Sequence, residues 1–149
     1  MTSALEHLLW QAAREGNLSS LNDALSLGAN VNARADFGDT ALNIAAEAGH
    51  QDIVQRLLEV GANIENVGGA DKTPLMNAAF AGHTQLVAWL LAQGARINTD
   101  LLSSLQLKVN ILEENAEAGM VRPEAAEAWR SFLDYLVAAW HRQNPTEAE

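Results

Sequence analysis

The hydrophobic positions of the chain recur with a period of 33 residues. Residues 40–64 align with residues 73–97 at 13 identities in 25 positions, and residues 7–31 align with residues 40–64 at 8 in 25. A repeat of this length is typical of one supersecondary unit that buries its apolar face by stacking on its neighbours. The weaker match of the first copy is expected, because a terminal unit has one face toward water.

Each of the two best-matched copies predicts a pair of helices. Thr40 and Thr73 stand where helix N-caps are needed, and Pro74 follows at a first helical position, where its missing N–H is not required. The first helices are predicted over residues 41–48 and 74–81, and each ends at a glycine. The second helices carry an i, i+1, i+4, i+5 apolar stripe, which indicates packing on one side. The stripe residues are Ile53, Val54, Leu57 and Leu58, then Leu86, Val87, Leu90 and Leu91.

The motifs at these positions resemble the ankyrin repeat over about residues 5–98. They include Thr73-Pro74-Leu75, Gly49-His50 and Gly82-His83, and the helix-ending segments Leu57-Leu58-Glu59-Val60-Gly61-Ala62 and Leu90-Leu91-Ala92-Gln93-Gly94-Ala95. The resemblance implies an all-α solenoid of about three helix-turn-helix repeats with β-hairpin fingers, at residues 5–33, 34–66 and 67–98. It also implies that the first helices and the fingers line a concave groove.

The chain departs from the family pattern at a few motif positions. Asn43 and Met76 replace the motif histidine, Ala41 replaces one proline, and Asp71 stands where Gly38 stands in the preceding copy. Because threonine and histidine share hydrogen bonds in the family, we expect these bonds to be partly lost and the repeats to be somewhat less rigid.

A longer helical hairpin is predicted after the repeats, over residues 99–142. Thr99 or Asp100 can cap its first helix, and Pro123 opens its second helix. The hairpin is interpreted as a cap that closes the open end of the stack. Alternatively, because it carries Trp129 and Trp140, it docks a partner or forms a homodimer as an assembly or stabilising subunit. The tail over residues 143–149 is predicted to be flexible.

Composition and charge narrow the function classes. Nine basic and nineteen acidic residues give a net charge of −10, and the basic residues are scattered, which argues against nucleic acid as a partner. The absence of cysteine excludes disulfides and thiolate metal sites. No apolar run approaches a membrane span, and the start lacks a basic leader segment, so a cytoplasmic protein is expected. His50 and His83 lie one repeat apart without a third ligand, so a structural role is predicted, with no metal, no cofactor and no enzyme activity.

Partner binding is therefore predicted as the function, on the groove and the fingers. The candidate residues are Trp10, Arg14, Asn43, Glu47, Met76 and Phe80 on the first helices, and Arg34, Asp36, Phe37, Asp39 and Lys72 in the fingers. Phe37 stands out because a finger tip has little protein to bury against. Two placements of its ring stay open: exposed and in contact with a partner, or folded over its own hairpin. The acidic flanks favour a partner protein with a basic segment. Regulation of an enzyme would use the same groove, and the chain itself is expected to be a monomer or a homodimer.

Overall fold

The computed structural model of the chain describes residues 3–147. Over this range the regular structure is helical, and no strand occurs. Its α-helices are α1 (Ala4–Glu15), α2 (Leu18–Ser26), α3 (Ala41–Ala48), α4 (Gln51–Glu59), α5 (Pro74–Ala81), α6 (Thr84–Ala92), α7 (Thr99–Glu117) and α8 (Pro123–Gln143). The all-α class is confirmed, and so are the first helices predicted over residues 41–48 and 74–81.

The chain divides into two compact units, with the boundary between Ala95 and Arg96. The first unit holds the helix pairs α1–α2, α3–α4 and α5–α6, and α3 packs on both α1 and α5. Each of these three first helices buries a pair of alanines, whose small side chains let neighbouring helices approach closely. These residues are Ala12, Ala13, Ala45, Ala46, Ala78 and Ala79.

Local signals in the sequence set the ends of the first helices. The Thr73 hydroxyl accepts a hydrogen bond from the N–H of Met76 at 3.3 Å, and Pro74 occupies the first helical position of α5. Gly49 and Gly82 end α3 and α5 with φ angles of 80° and 82°, in the left-handed region that favours glycine. The helix boundaries therefore follow from the cap residues.

His50 and His83 connect neighbouring repeats through their rings. The Nε2 atom of His50 lies 3.1 Å from the carbonyl oxygen of Arg14, and that of His83 lies 2.8 Å from the carbonyl oxygen of Glu47. Each Nε2 donates the hydrogen bond, because a carbonyl oxygen can only accept. The predicted structural role of the two histidines is thus confirmed.

The predicted β-hairpin fingers take the form of tight loops. In the first finger, residues 34–40, a single antiparallel bridge pairs Arg34 with Thr40 around a 3-10 turn at Asp36–Gly38. A longer ladder cannot form, because α3 begins directly after Thr40. In the second finger, residues 67–73, the N–H of Gly68 donates to the carbonyl of Lys72 at 2.9 Å.

The second unit contains the helix pair α7 and α8, which pack on each other. The cap of α7 is Asn98, one residue before Thr99 and two before Asp100, the two predicted caps, and its side-chain oxygen accepts from the N–H of Leu101 at 2.9 Å. At the same end of the pair, the side chain of Gln143 accepts from the N–H of Ile97 at 3.0 Å. The start of α7 therefore lies beside the end of α8, and the two helices are antiparallel.

An ion pair between α7 and α8 predicts a specific pH dependence of stability. Arg130 donates through Nε and Nη2 to the Glu113 carboxylate at 2.5 and 2.6 Å. Hydrogen bonding to Arg130, together with its positive charge, lowers the pKa of Glu113 below its ordinary value of 4.5. Since the pKa of Glu113 is lower in the folded state, the ion pair contributes fully to the free energy of unfolding above about pH 4.5. This contribution is lost as the pH falls through the folded-state pKa of Glu113.

We therefore expect Glu113→Gln to lower the free energy of unfolding at pH 7 and to lower it less as the pH approaches 3. Urea unfolding of the variant and the wild type, followed by circular dichroism at several pH values, measures this difference. A difference that stays constant between pH 7 and pH 3 would contradict the assignment.

Both chain ends extend past the described residues. The tail predicted as flexible begins at Gln143, which is part of α8, and a 3-10 turn follows at Pro145–Glu147. Residues 148 and 149 lie outside the described range, as do residues 1 and 2, on which the prediction of a missing leader partly rests. Between residues 3 and 147, no helix has both the length and the apolar character needed to cross a bilayer.

Candidate partner-binding site

Four of the predicted binding residues meet around one surface depression between α1 and the first finger. This depression, here called the α1 depression, has a volume of about 510 Å³. Its lining residues are His7, Trp10, Gln11, Arg14, Glu15, Ala35, Asp36 and Phe37. The structure thus brings Trp10, Arg14, Asp36 and Phe37 together, as the groove hypothesis requires.

Trp10 lines the α1 depression with only a small part of its surface. Its side chain is 7% exposed, and its indole Nε1 donates to the carbonyl oxygen of Ala33 at 3.3 Å. The His7 ring lies beside it, with 5.3 Å between ring centroids. Trp10 is therefore more buried than a groove position implies, because its large ring also packs the first repeat.

Phe37 projects from the tip of the first finger. Its side chain is 95% exposed, which agrees with the expected exposure of a finger tip. Its backbone is left-handed, with φ 71°, a conformation that costs a residue with a Cβ atom about 1–2 kcal/mol. The fold thus holds a large aromatic side chain in water in an unfavourable backbone conformation, a combination that is often found at binding sites.

Arg34 and Asp39 join the two fingers through their polar groups. Arg34 donates through Nη1 to the carbonyl oxygens of Gly38 and Val67, both at 2.8 Å, and through Nη2 to the Asn66 side-chain oxygen at 3.1 Å. Asp39 Oδ1 accepts from the N–H of Gly69 at 2.8 Å. These hydrogen bonds position the fingers, and the direct contact of both side chains with a partner stays a prediction.

Replacing Arg34 with lysine is expected to loosen the contact between the fingers while leaving the helices intact. A lysine ammonium cannot reproduce the planar fork that reaches Gly38, Val67 and Asn66 together. Amide hydrogen exchange should accelerate at Gly68 and Gly69 and stay unchanged in α3 and α5. Unchanged exchange rates in the second finger would show that Arg34 does not hold it.

Asn43 was predicted to face the groove, but it is fully buried beneath the second finger. Its Oδ1 accepts from the N–H and the hydroxyl of Thr40 at 3.2 and 2.9 Å and from Asn66 Nδ2 at 2.9 Å. Its Nδ2 donates to the Lys72 carbonyl oxygen at 3.2 Å and to Asn77 Oδ1 at 3.3 Å. The amide thus forms hydrogen bonds with Thr40 in place of those whose loss was expected when histidine is absent, and the somewhat lower rigidity of the repeats stays a prediction.

Met76, the counterpart of Asn43 in the next repeat, is also buried, with 8% of its surface exposed. Its predicted place on an open groove is therefore wrong. Both positions lie in the first turn of a first helix, and the second finger covers Asn43. The i, i+4 spacing of Asn43 with Glu47 and of Met76 with Phe80 identifies a shared helix face but not what covers that face.

The remaining predicted residues lie at the surface, outside the α1 depression, and do not form a second cluster of candidate residues. They are Glu47, Lys72 and Phe80. Lys72 places its Nζ 5.3 Å from the ring centroid of Phe80, and both side chains are half-buried. Glu47 is exposed. Neither Arg14 nor Glu47 forms an ion pair with a residue between 3 and 147.

Four residues of the α1 depression were not predicted from the sequence: Ala35 in the first finger and three residues of α1. The three are His7, Gln11 and Glu15, which line the depression together with Trp10 and Arg14. Positions 7, 11 and 14 share one helix face by their i, i+4 and i+7 spacing, so the pattern around Arg14 could have identified His7 and Gln11. The described residues contain no group of three His, Cys, Asp or Glu that could hold a metal ion.

Comparison with known proteins identifies the family. A family model for ankyrin repeats, in three copies, matches residues 9–100. A search of the curated proteins found no match. Ankyrin repeats are generally non-catalytic protein–protein interaction modules. Because the matched residues make up more than half of the chain, from α1 to the start of α7, the chain belongs to the ankyrin-repeat family.

Proposed function

We propose that the chain is a protein-binding module without catalytic activity that holds a segment of a partner protein against α1 and the first finger. The proposed surface is the concave groove lined by the first helices and fingers, with the α1 depression as its main contact. The general role of ankyrin repeats in protein–protein interaction supports this class of function. The observation that carries the choice of surface is Phe37, an almost fully exposed aromatic residue beside a depression.

Aromatic residues dominate the binding energy of many protein interfaces when they enter a pocket of the partner. Phe37 is available for this role, because 95% of its side chain is exposed. The adjacent depression can in turn receive a side chain of the partner between α1 and the finger. With the Phe37 ring in a pocket of the partner and a partner side chain in the α1 depression, the two contacts together would fix the position of the bound segment.

The hydrogen bonds around this surface support preorganised binding. Trp10 is fixed by its bond to Ala33, and the first finger is connected to the second through Arg34 and Asp39. Groups that are already ordered lose little conformational entropy on association. The affinity of the site should therefore depend mainly on the contacts themselves.

The charge of the surface favours a partner segment with basic residues. The carboxylates of Asp36 and Glu47 form no ion pair within the described part of the chain, and the net charge of the whole chain is −10. Unpaired carboxylates on an acidic protein attract lysine and arginine, and they raise the association rate at low ionic strength. Association with the partner should therefore slow as salt is added.

Affinity capture from an extract of the native cells tests the proposal. The wild type and Phe37→Ala serve as baits, with Leu27→Ala as the matched control, because Leu27 is also an exposed apolar residue, at 68%, and does not line the α1 depression. We expect a protein that the wild type and Leu27→Ala recover and Phe37→Ala does not. Equal recovery by all three baits, with circular dichroism showing intact helices, would reject this surface.

A further inference from the structure

The second unit has an apolar surface that its own fold leaves open. Leu107 and Ile111 lie one helical turn apart on α7, and their side chains are 61% and 49% exposed. Isolated exposed leucines are ordinary on protein surfaces, but neighbouring ones that border a depression are typical of interaction sites.

A groove between α7 and α8, here called the hairpin groove, lies on the Leu107 side of the helix pair and has a volume of about 460 Å³. Both helices supply its apolar lining, which consists of Leu102, Leu107, Leu133 and Val137. The polar lining comes from α7 alone and consists of Ser103, Gln106 and Asn110. Gln106 and Asn110 are hydrogen-bonded to each other at 2.8 Å, so their amides are partly satisfied without a ligand.

Unpaired carboxylates stand at both ends of the groove-lining face of α7. Positions 100, 103, 107, 110 and 114 follow the alternating three- and four-residue spacing of one helix face. Asp100 and Glu114 are the two ends of this face, and neither forms an ion pair within residues 3–147. The two carboxylates are separated by 14 residues of helix, which corresponds to about 21 Å.

From this arrangement we infer that the hairpin groove binds an amphipathic helix of a partner protein, with basic residues flanking an apolar stripe. A third helix packs well into the groove between two antiparallel helices, because its side chains enter the spaces between theirs. The partner's apolar residues contact Leu102, Leu107 and Val137. Its basic residues, spaced about 21 Å apart, pair with Asp100 and Glu114.

The same observations argue against a second copy of this chain as the occupant. A stable dimer interface usually involves about 20–30 residues from each partner, whereas seven residues line the hairpin groove. Two copies would also bring like charges together, since each carries a net charge of −10. A single basic helix meets both the size and the charge of this site.

Two synthetic 18-residue helical peptides test the inference. Both carry the same leucine stripe, one with lysine flanks and one with glutamate flanks, and their binding to the full chain is followed by fluorescence anisotropy. We expect saturable binding of the lysine peptide and at least tenfold weaker binding of the glutamate peptide. Leu107→Asp should weaken binding of the lysine peptide at least tenfold. Glu114→Gln should weaken this binding less and should reduce its dependence on salt.

The controls separate this site from the α1 depression. Phe37→Ala should leave binding of the lysine peptide unchanged, and circular dichroism checks that Leu107→Asp keeps its helices. The inference is overturned if the lysine peptide does not bind, if both peptides bind equally, or if Leu107→Asp binds as well as the wild type. A dimer in sedimentation that Leu107→Asp dissociates would also overturn it, because the groove would then belong to a second copy.

Discussion

Replacing Phe37 with glycine is expected to weaken partner binding by about 30-fold or more and at the same time to stabilise the fold. Truncation of an aromatic hot spot commonly costs 2 kcal/mol or more of binding free energy, which corresponds to about that factor. Glycine adopts the left-handed backbone at φ 71° without steric penalty. Because Phe37 is 95% exposed, little packing is lost, and we expect a gain of up to about 1 kcal/mol after the greater chain entropy of glycine is included.

The second finger supplies the matched control for this prediction. Ala70 occupies the equivalent tip position and is also left-handed, with φ 54°. Ala70→Gly should therefore stabilise the fold in urea unfolding to a similar extent while partner binding is retained. If Phe37→Gly lowers stability, or if binding survives in it, the assignment of Phe37 as a strained binding residue is refuted.

Replacing Asn43 with leucine is expected to lower the free energy of unfolding by about 3 kcal/mol. Leucine is similar in size but has no polar atoms, so the buried N–H of Thr40 and the buried Oδ1 of Asn77 would lose their bonds to residue 43. Each buried polar group that is left without a partner costs roughly 1–3 kcal/mol. Urea unfolding of the full chain, followed by circular dichroism, measures the loss.

Met76→Leu is the control for this second prediction. Met76 holds the same register position one repeat later and is also buried, but the substitution nearly conserves volume and removes no strong hydrogen-bonding group. Its expected effect is below about 1.5 kcal/mol. If Asn43→Leu proves no more damaging than Met76→Leu, the amide cluster around Asn43 contributes little to stability.

The helices could be predicted because their signals are local. The residues that begin and end α3 and α5 act through their neighbours in the chain, and both helices have the predicted bounds. These residues are Thr40, Thr73, Pro74 and the glycines after α3 and α5. The cap of α7 was misplaced by one or two residues because Asn98, Thr99 and Asp100 are all residue types that can cap a helix. Only the hydrogen bond to Leu101 distinguishes between them.

The surface was harder to predict because it depends on contacts between repeats. Asn43 and Met76 differ between copies, as binding residues often do, but the second finger and its neighbours bury Asn43 in a network that spans 34 residues of sequence. Arg34 reaches 33 residues ahead to Val67, and no local pattern reveals this partner. The exposure of Phe37 was accessible because it follows from the short loop itself.

The shared left-handed backbone at Phe37 and Ala70 has a consequence for specificity. A ring and a methyl group occupy the same conformation, so the loop geometry does not depend on which side chain it displays. The first finger presents a bulky group and the second a small one, so the proposed recognition surface differs between its two ends along the stack. Exchanging these two residues would reverse that difference, which makes the pair a natural starting point for redirecting the protein to a different ligand.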